Sequence, residues 1–306
     1  MYLGIDFLID PELKLYVSEV NVGLPGGAQE YERVHLVRQG RPSGIFAKIE
    51  ETSLRVHGKS FRDYLASLPF LESLKSLKIW MDGQGSFPAS FHPALRLEDK
   101  WVQAQILNSH VPLPETMIFD PRDPAAADSF LTRRQKSVIK RRLGRGGRNF
   151  RIMEGPLLRD PVALGAVGQN FLLQEYIESK VGRYTFSIRA LAFAGEFMCM
   201  YANLSTRAHS NHGILAYISP GDRLKLEEAD FQTESFNQRS WEAGLWFGPP
   251  ENEPGYLRHN LYEDEAARTA LILPAVLYQA LTVMAVKIER LYEGFDFSAL
   301  PPACFE

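Results

Sequence analysis

The chain opens on two apolar runs, Gly4-Ile5-Asp6-Phe7-Leu8-Ile9 and Leu15-Tyr16-Val17-Ser18-Glu19-Val20-Asn21, separated by the polar Asp10-Pro11-Glu12. That pattern predicts a β-hairpin. Side chains alternate faces along a strand, so Glu19 and Asn21 share one face, and closure near Pro11 brings Asp6 across to them. Further on, Phe61, Tyr64, Leu65, Leu68, Leu71, Leu74 and Leu77 recur at helical spacing and predict a helix over 60–77, kinked or split at Pro69. A second helix is predicted over 100–107. After it, Val111-Pro112-Leu113-Pro114-Glu115-Thr116 leads into a strand ending near Phe119. Ser137-Val138-Ile139-Lys140 reads as a short strand, 171–178 as a buried strand running out into polar residues, and 184–203 as two strands around Ala194-Gly195-Glu196. Residues 220–262 are polar and punctuated by Gly248-Pro249-Pro250 and Pro254-Gly255, which predicts mostly loop. The last pattern, 263–293, places Ala267, Leu271, Leu277, Leu281, Met284, Ile288 and Leu291 on an amphipathic run that predicts a long helix broken or bent at Pro274.

Composition adds bounds. The chain has 306 residues, a formal charge of −3, 45% hydrophobic and 23% charged residues, which is an ordinary globular mixture with length for two or three packed lobes. The near-neutral balance gives no argument for nucleic acid or an acidic membrane as partner. Two distant cysteines, Cys199 and Cys304, supply neither a disulfide framework nor a zinc pattern. No stretch reaches the apolar length of a membrane span, and Met1 leads straight into a strand with no signal-like segment, so the expected location is cytoplasmic.

Two stretches carry chemistry. Asp6, Glu19 and Asn21 would gather two carboxylates and an amide oxygen on one face; such hard oxygens suit Mg²⁺, although a hairpin at a sheet edge with solvated acids accounts for them as well. Lys140 is followed by Arg141-Arg142-Leu143-Gly144-Arg145-Gly146-Gly147-Arg148. Glycines let backbone N–H groups approach an anion while cationic side chains add charge, which suits phosphate; it is not a Walker A loop, and a basic hairpin turn is the plainer reading. His209 and His212 lack a third ligand and read as ordinary loop residues.

Taken together, these motifs resemble the ATP-grasp superfamily. Gly-Ile-Asp, then Glu-x-Asn thirteen positions on, then Pro25-Gly26, is similar to the metal-binding end of that family, which there closes the catalytic domain and here opens the chain. The Asp99-Lys100 pair ahead of the Val-Pro-x-Pro segment resembles the family's phosphate lysine. Lys140 with the loop of Gly144, Gly146, Gly147 and Arg148 resembles its phosphate-covering loop, although the family more often has proline where Arg141 stands. Gln174-Glu175-Tyr176-Ile177 resembles the hinge, which implies Glu175 on the adenine amino group and backbone contacts from Tyr176 and Glu178. Where the family often carries a ribose acid, this chain reads Ser187-Ile188-Arg189, so Glu178 is the alternative for the ribose. The resemblance places Arg189 and Arg207 near the transferring phosphoryl group, with Lys140 as a third catalytic residue, and Asn211 with Arg207 near the acceptor substrate.

The resemblance implies an α+β fold of ATP-grasp type, two α+β lobes sandwiching ATP, circularly permuted so that the opening hairpin packs with the final helix. The expected division is 1–28 as the metal-binding hairpin of the large lobe, 29–91 as a mostly helical segment of unassigned role, 92–175 as the small lobe and 176–306 as the large lobe. The implied function is an ATP- and Mg²⁺-dependent ligase joining a carboxylate to an amine or thiol through an acyl phosphate, with Mg²⁺ or Mn²⁺ on Asp6, Glu19 and Asn21. Its partners would be small-molecule or peptide carboxylates and amines. The alternatives are a kinase of a small polyol phosphate, a nucleotide-binding regulatory protein without catalysis, and a swapped homodimer in which 1–28 fills the site of another chain.

Overall fold

Strands β1 (Leu3–Ile9) and β2 (Leu15–Val22) pair antiparallel, with Asp6 directly opposite Glu19 and Gly4 opposite Asn21. These details come from a computed structural model that describes residues 1–81, 86–88, 91–120, 123–144, 150–154, 171–206, 214–227 and 266–302. The ladder shifts register between Asp6 and Phe7, so Phe7 faces Val17 and Ser18 is an extra residue on β2. The bulge answers a feature of the sequence. Val17, Val20 and Val22 are all buried in one core, yet strict alternation would send Val17 and Val20 to opposite faces.

The hairpin belongs to an eight-stranded sheet ordered β11-β12-β10-β9-β8-β1-β2, with the short β7 (Lys180–Val181) also on β8. The other members are β8 (Tyr184–Phe193), β9 (Glu196–Ser205), β10 (Ile214–Gly221), β11 (Lys225–Glu227) and β12 (Ala266–Pro274). Strands β8 and β9 turn at Ala194 and Gly195, both with positive φ, as the sequence predicts for this hairpin. The first strand of the chain therefore lies beside β8, with Asp6 in register with Arg189. A second, four-stranded sheet runs β3-β6-β4-β5: β3 (Thr116–Phe119), β6 (Phe171–Glu175), β4 (Lys136–Arg141) and β5 (Arg151–Glu154).

One face of the large sheet buries Leu3, Ile5, Phe7 and Ile9 against helix α7 (Ala275–Glu293), α4 (Leu71–Met81) and α5 (Lys100–Leu107). The opposite face carries Tyr2, Leu191, Phe193 and Cys199 under α1 (Ala28–Gln39), α2 (Ile45–His57) and α3 (Phe61–Ala66). The small sheet has its own core, in which Ile139, Phe171 and Leu173 pack on Phe130 and Leu131 of α6 (Pro124–Arg134). Each fully buried aliphatic or aromatic side chain in these cores contributes about 1.5–3 kcal/mol.

Most predicted elements are present. The 60–77 helix is split into α3 and α4 around Pro69, and α5 spans the predicted residues. Two expectations change. Residues 266–274 form strand β12, parallel to β10, and the helix begins only after Pro274, which stands at its N-cap. The physical reason is burial: Leu271 and Leu273 face one core, Ala270 and Ile272 are buried too, and a strand covered on both faces reads as a continuous apolar run. Within 220–262, expected as loop, Lys225–Glu227 is a strand on β12. Among the described residues, no helix is long and apolar enough to cross a membrane.

Candidate functional site

The row of side chains Glu19–Asp6–Arg189 runs across β2, β1 and β8 on one face of the large sheet. Arg189 grips Asp6 with two parallel bonds, Nε to Oδ1 at 2.5 Å and Nη2 to Oδ2 at 2.6 Å, and its Nη1 lies 3.5 Å from the Gly26 carbonyl. Such a fork is the strong geometry for an arginine–carboxylate pair. Burial works against the Arg189 charge, but Asp6 outweighs it and holds the guanidinium above its ordinary pKa.

Lysines approach the same row from two other elements. Lys100 opens α5; its Nζ lies 3.3 Å from Glu19 Oε1 and donates to the Gly144 carbonyl at 2.7 Å. Lys140, on β4 of the small sheet, donates to the Ser18 carbonyl at 3.3 Å, the carbonyl of the bulged residue. Burial would raise the Glu19 carboxyl, yet Lys100, Lys140 and Arg189 overcome it and hold it below the ordinary value. Burial and then Lys100 push the Lys140 ammonium down to about 8, with Glu19 and Asp6 opposing. With three cations against two carboxylates, the cluster carries an excess positive charge next to Gly144, which suits a polyphosphate.

Several residues not anticipated from the sequence hold this arrangement. Asp99 caps α5 by accepting from the Trp101 N–H at 2.8 Å, and it forms a buried pair with Arg142, at 3.1 Å to Nε and 2.9 Å to Nη2. The Lys100 N–H donates to the Arg142 carbonyl at 3.1 Å, so the end of β4 is tied to the start of α5. Gln103 spans the outer edge of β2: its Nε2 donates to the carbonyls of Val20 (2.6 Å) and Leu97 (2.7 Å), and its Oε1 accepts from the Val20 N–H at 3.1 Å. Glu98 accepts from the Val22 N–H at 3.0 Å, and the Pro112 carbonyl from the Val17 N–H. These contacts cover an edge that would otherwise be open to pairing.

The stretch 174–178 divides its side chains between two faces. On β6, Gln174 and not Glu175 lies on the Lys140 face: Leu172 is in register with Lys140 and Gln174 with Val138, whereas Leu173 and Ile139 face the core on α6. Gln174 donates to Thr116 Oγ1 at 2.8 Å and lines a small pocket with Glu19, Lys100, Gln103 and Thr116. Glu175 turns to the other side, where Arg134 Nη1 (3.0 Å) and the Glu115 N–H (3.2 Å) each take one carboxylate oxygen. The register of β6 on β4 is what separates the two. The Tyr176 N–H is bonded to the Lys136 carbonyl at 3.3 Å and its ring receives Lys136, while Glu178 is exposed to solvent.

Asp6, Glu19 and Asn21 do share one face, and both Asp6 oxygens accept from Arg189. Among the described residues, no group of three or more His, Cys, Asp or Glu side chains gathers as a metal site. Glu19 and Asn21 fit a partial Mg²⁺ site, because Mg²⁺ is ordinarily held by one or two protein oxygens with phosphate and water completing the shell. Asn21 is buried and its Nδ2 has no partner. Gly146, Gly147, Arg148, Arg207 and Asn211 lie outside the described residues, as do His209 and His212.

No family model and no curated protein matches the sequence. Solved structures to which the chain is similar include the ATP-grasp ligase PsnB complexed with minimal precursor, 14% identical with a TM-score of 0.31, covering 53% of this chain and 51% of that one. Another is PsnB with a phosphomimetic variant of minimal precursor, Mg and ADP, 15% identical with a TM-score of 0.28, covering 52% and 53%. The chain thus spans about half the length of the structures it matches. TM-scores this low do not establish a shared fold.

Proposed function

We propose that the chain is a permuted ATP-grasp ligase that joins a carboxylate to an amine at the cleft between its two sheets. The observation that carries this reading is the convergence of Glu19 from the hairpin, Lys100 from the start of α5 and Lys140 from the small sheet, with Lys100 also donating to the Gly144 carbonyl. Three elements distant in sequence bring two lysines and a carboxylate to one place beside Gly144, an arrangement suited to a polyphosphate with its cation. ATP with Mg²⁺ would supply the phosphoryl group that activates the carboxylate. Lys100 and Lys140 then neutralise phosphate oxygens, Glu19 and Asn21 present oxygens to the cation, and Gln174 faces the base from β6. The Asp6–Arg189 fork fixes the face on which these groups stand. Positioning and charge carry most of the rate in such chemistry.

The reading is tested by melting the protein with and without a non-hydrolysable ATP analogue and Mg²⁺. Saturation at about a hundredfold over Kd adds roughly 2.7 kcal/mol, several degrees at this chain length. The shift is expected in wild type, lost in Glu19→Gln/Asn21→Ala, reduced in Gln174→Ala and retained in Glu175→Gln. No shift in wild type sinks the reading. A second reading, nucleotide binding without turnover, is favoured by the fork that occupies Asp6. It is distinguished by a full thermal shift with no ADP released in the presence of acids and amines.

A further inference from the structure

The ammonium groups of Lys100 and Lys140 are turned onto the protein itself. Lys100 Nζ lies 3.3 Å from Glu19 Oε1 and donates to the Gly144 carbonyl at 2.7 Å. Lys140 Nζ donates to the carbonyl of Ser18, the residue before Glu19 on β2. Cations from α5 and β4 thus hold neighbouring residues of one strand, and both lysines are buried. An ammonium engaged by a carboxylate is partly neutralised towards a phosphate, and the carboxylate is partly neutralised towards a metal ion. A ligand that uses either partner must therefore part the pair.

The pair can part without moving the backbone. Asp99 caps α5 and pairs with Arg142, and the Lys100 N–H donates to the Arg142 carbonyl, so residue 100 is anchored at its main chain. Beyond Cα it is a flexible four-carbon stem that carries its charge from one acceptor to another. The two partners also differ in access. The Glu19 side chain is 26% exposed and that of Lys100 8%, so a cation from solvent reaches the carboxylate while the ammonium is still covered. Parting the pair costs the free protein once, whichever ligand does it. When two ligands divide the partners between them the cost is shared, and each raises the affinity of the other.

We propose that the Lys100–Glu19 pair is a latch on the nucleotide site: the free protein holds Lys100 on Glu19, and Lys100 turns to phosphate when Glu19 takes a divalent cation. The nucleotide's place at Lys100 rests on the ligase reading, and the latch adds a selection to it. Nucleotide without metal binds weakly, because Lys100 must leave Glu19, whose charge then stands beside the phosphates without its ion pair. With a cation on Glu19, both members of the pair have new partners. The chain thereby favours the metal-loaded nucleotide over the bare one by an exchange of two side-chain partners.

The test is calorimetric titration of the full chain with a non-hydrolysable ATP analogue, once in EDTA and once with Mg²⁺. In EDTA, Glu19→Gln is expected to bind the analogue about fivefold or more tightly than wild type, the lower end of ordinary coupling between sites. With Mg²⁺ the same substitution weakens binding, so the two effects have opposite sign. Removing a negative charge near a triphosphate would by itself raise affinity whatever Lys100 does, and a double-mutant cycle separates the two causes. If Glu19 acts by holding Lys100, Glu19→Gln/Lys100→Met binds the metal-free analogue no better than Lys100→Met alone. Lys100→Gln takes the place of Lys100→Met if that variant does not fold. A gain of equal size in both backgrounds, or no gain from Glu19→Gln in EDTA, would each overturn the latch and leave the ligase reading standing, provided wild type binds the analogue with Mg²⁺. If neither wild type nor Glu19→Gln binds it in either buffer, the ligase reading fails and the latch fails with it.

Discussion

At the scale of single residues, Lys140 shows what the cluster costs the free protein. An unfolded lysine titrates near 10.4, whereas burial and the nearby Lys100 push Lys140 down to about 8. Below pH 8 it is charged folded and unfolded, and the penalty of burying that charge is fully present. Between about 8 and 10 the unfolded chain binds more protons than the folded one, so stability rises with pH relative to a chain without this lysine. For the metal- and nucleotide-free protein, Lys140→Met should melt above wild type at neutral pH, and the gap should narrow by several degrees towards about pH 10. A gap that does not move with pH would mean that the side chain sits in water. The residue scale is also where the sequence was only half legible. Asp6, Glu19 and Asn21 could be picked out because a strand with a bounded turn fixes which side chains share a face, and Lys140 because it ends a short strand ahead of a glycine-rich basic stretch. The Gln174–Glu175 choice could not be made from chemistry alone, since an acid looks the better partner for an amino group. It follows from the register with β4, a long-range fact that no local pattern holds.

At the scale of elements, β2 is the instructive case. It closes one end of the large sheet, and its outward backbone groups are met by Gln103, Glu98 and Pro112 in place of another strand. Gln103 alone satisfies the Val20 N–H and the carbonyls of Val20 and Leu97 from a position 4% exposed. Replacing it with leucine keeps the volume and strands those groups, at about 1–3 kcal/mol for each buried group left unpaired. Gln103→Leu should therefore lower the urea midpoint clearly with little change in slope; a midpoint within error of wild type would show that water replaces the glutamine. The same strand departs from the plain alternation expected of it. Val17 and Val20 are three apart yet share a core, because Ser18 bulges out, and the bulge is what turns the Ser18 carbonyl to Lys140. β12 was misread for the opposite reason. Its run of buried residues has no period of its own, and its pairing with β10 and β11 identifies it as a strand.

At the scale of the whole molecule, the two sheets keep separate hydrophobic cores, a large one on the hairpin and α7 and a small one on α6. Polar links between them are concentrated at the cluster: Lys140 to Ser18, Lys100 to Gly144 and Glu19, and Asp99 to Arg142. A small core has less apolar area to hold it, so amides of the small sheet such as Leu172 and Leu173 should exchange hydrogen through openings of lower free energy than Ile188 and Ala190 in the large one. On the proposed reading, a nucleotide is seated across the cluster and binds only when both sheets are in place. It should then raise the small-sheet protection by about 2.7 kcal/mol at a hundredfold over Kd, narrowing the gap, and Glu19→Gln should undo most of the gain although it lies on the other sheet. If protection rises in the small sheet alone and is indifferent to Glu19, the ligand touches only the β4 side, and the hairpin at the start of the chain has no part in holding it.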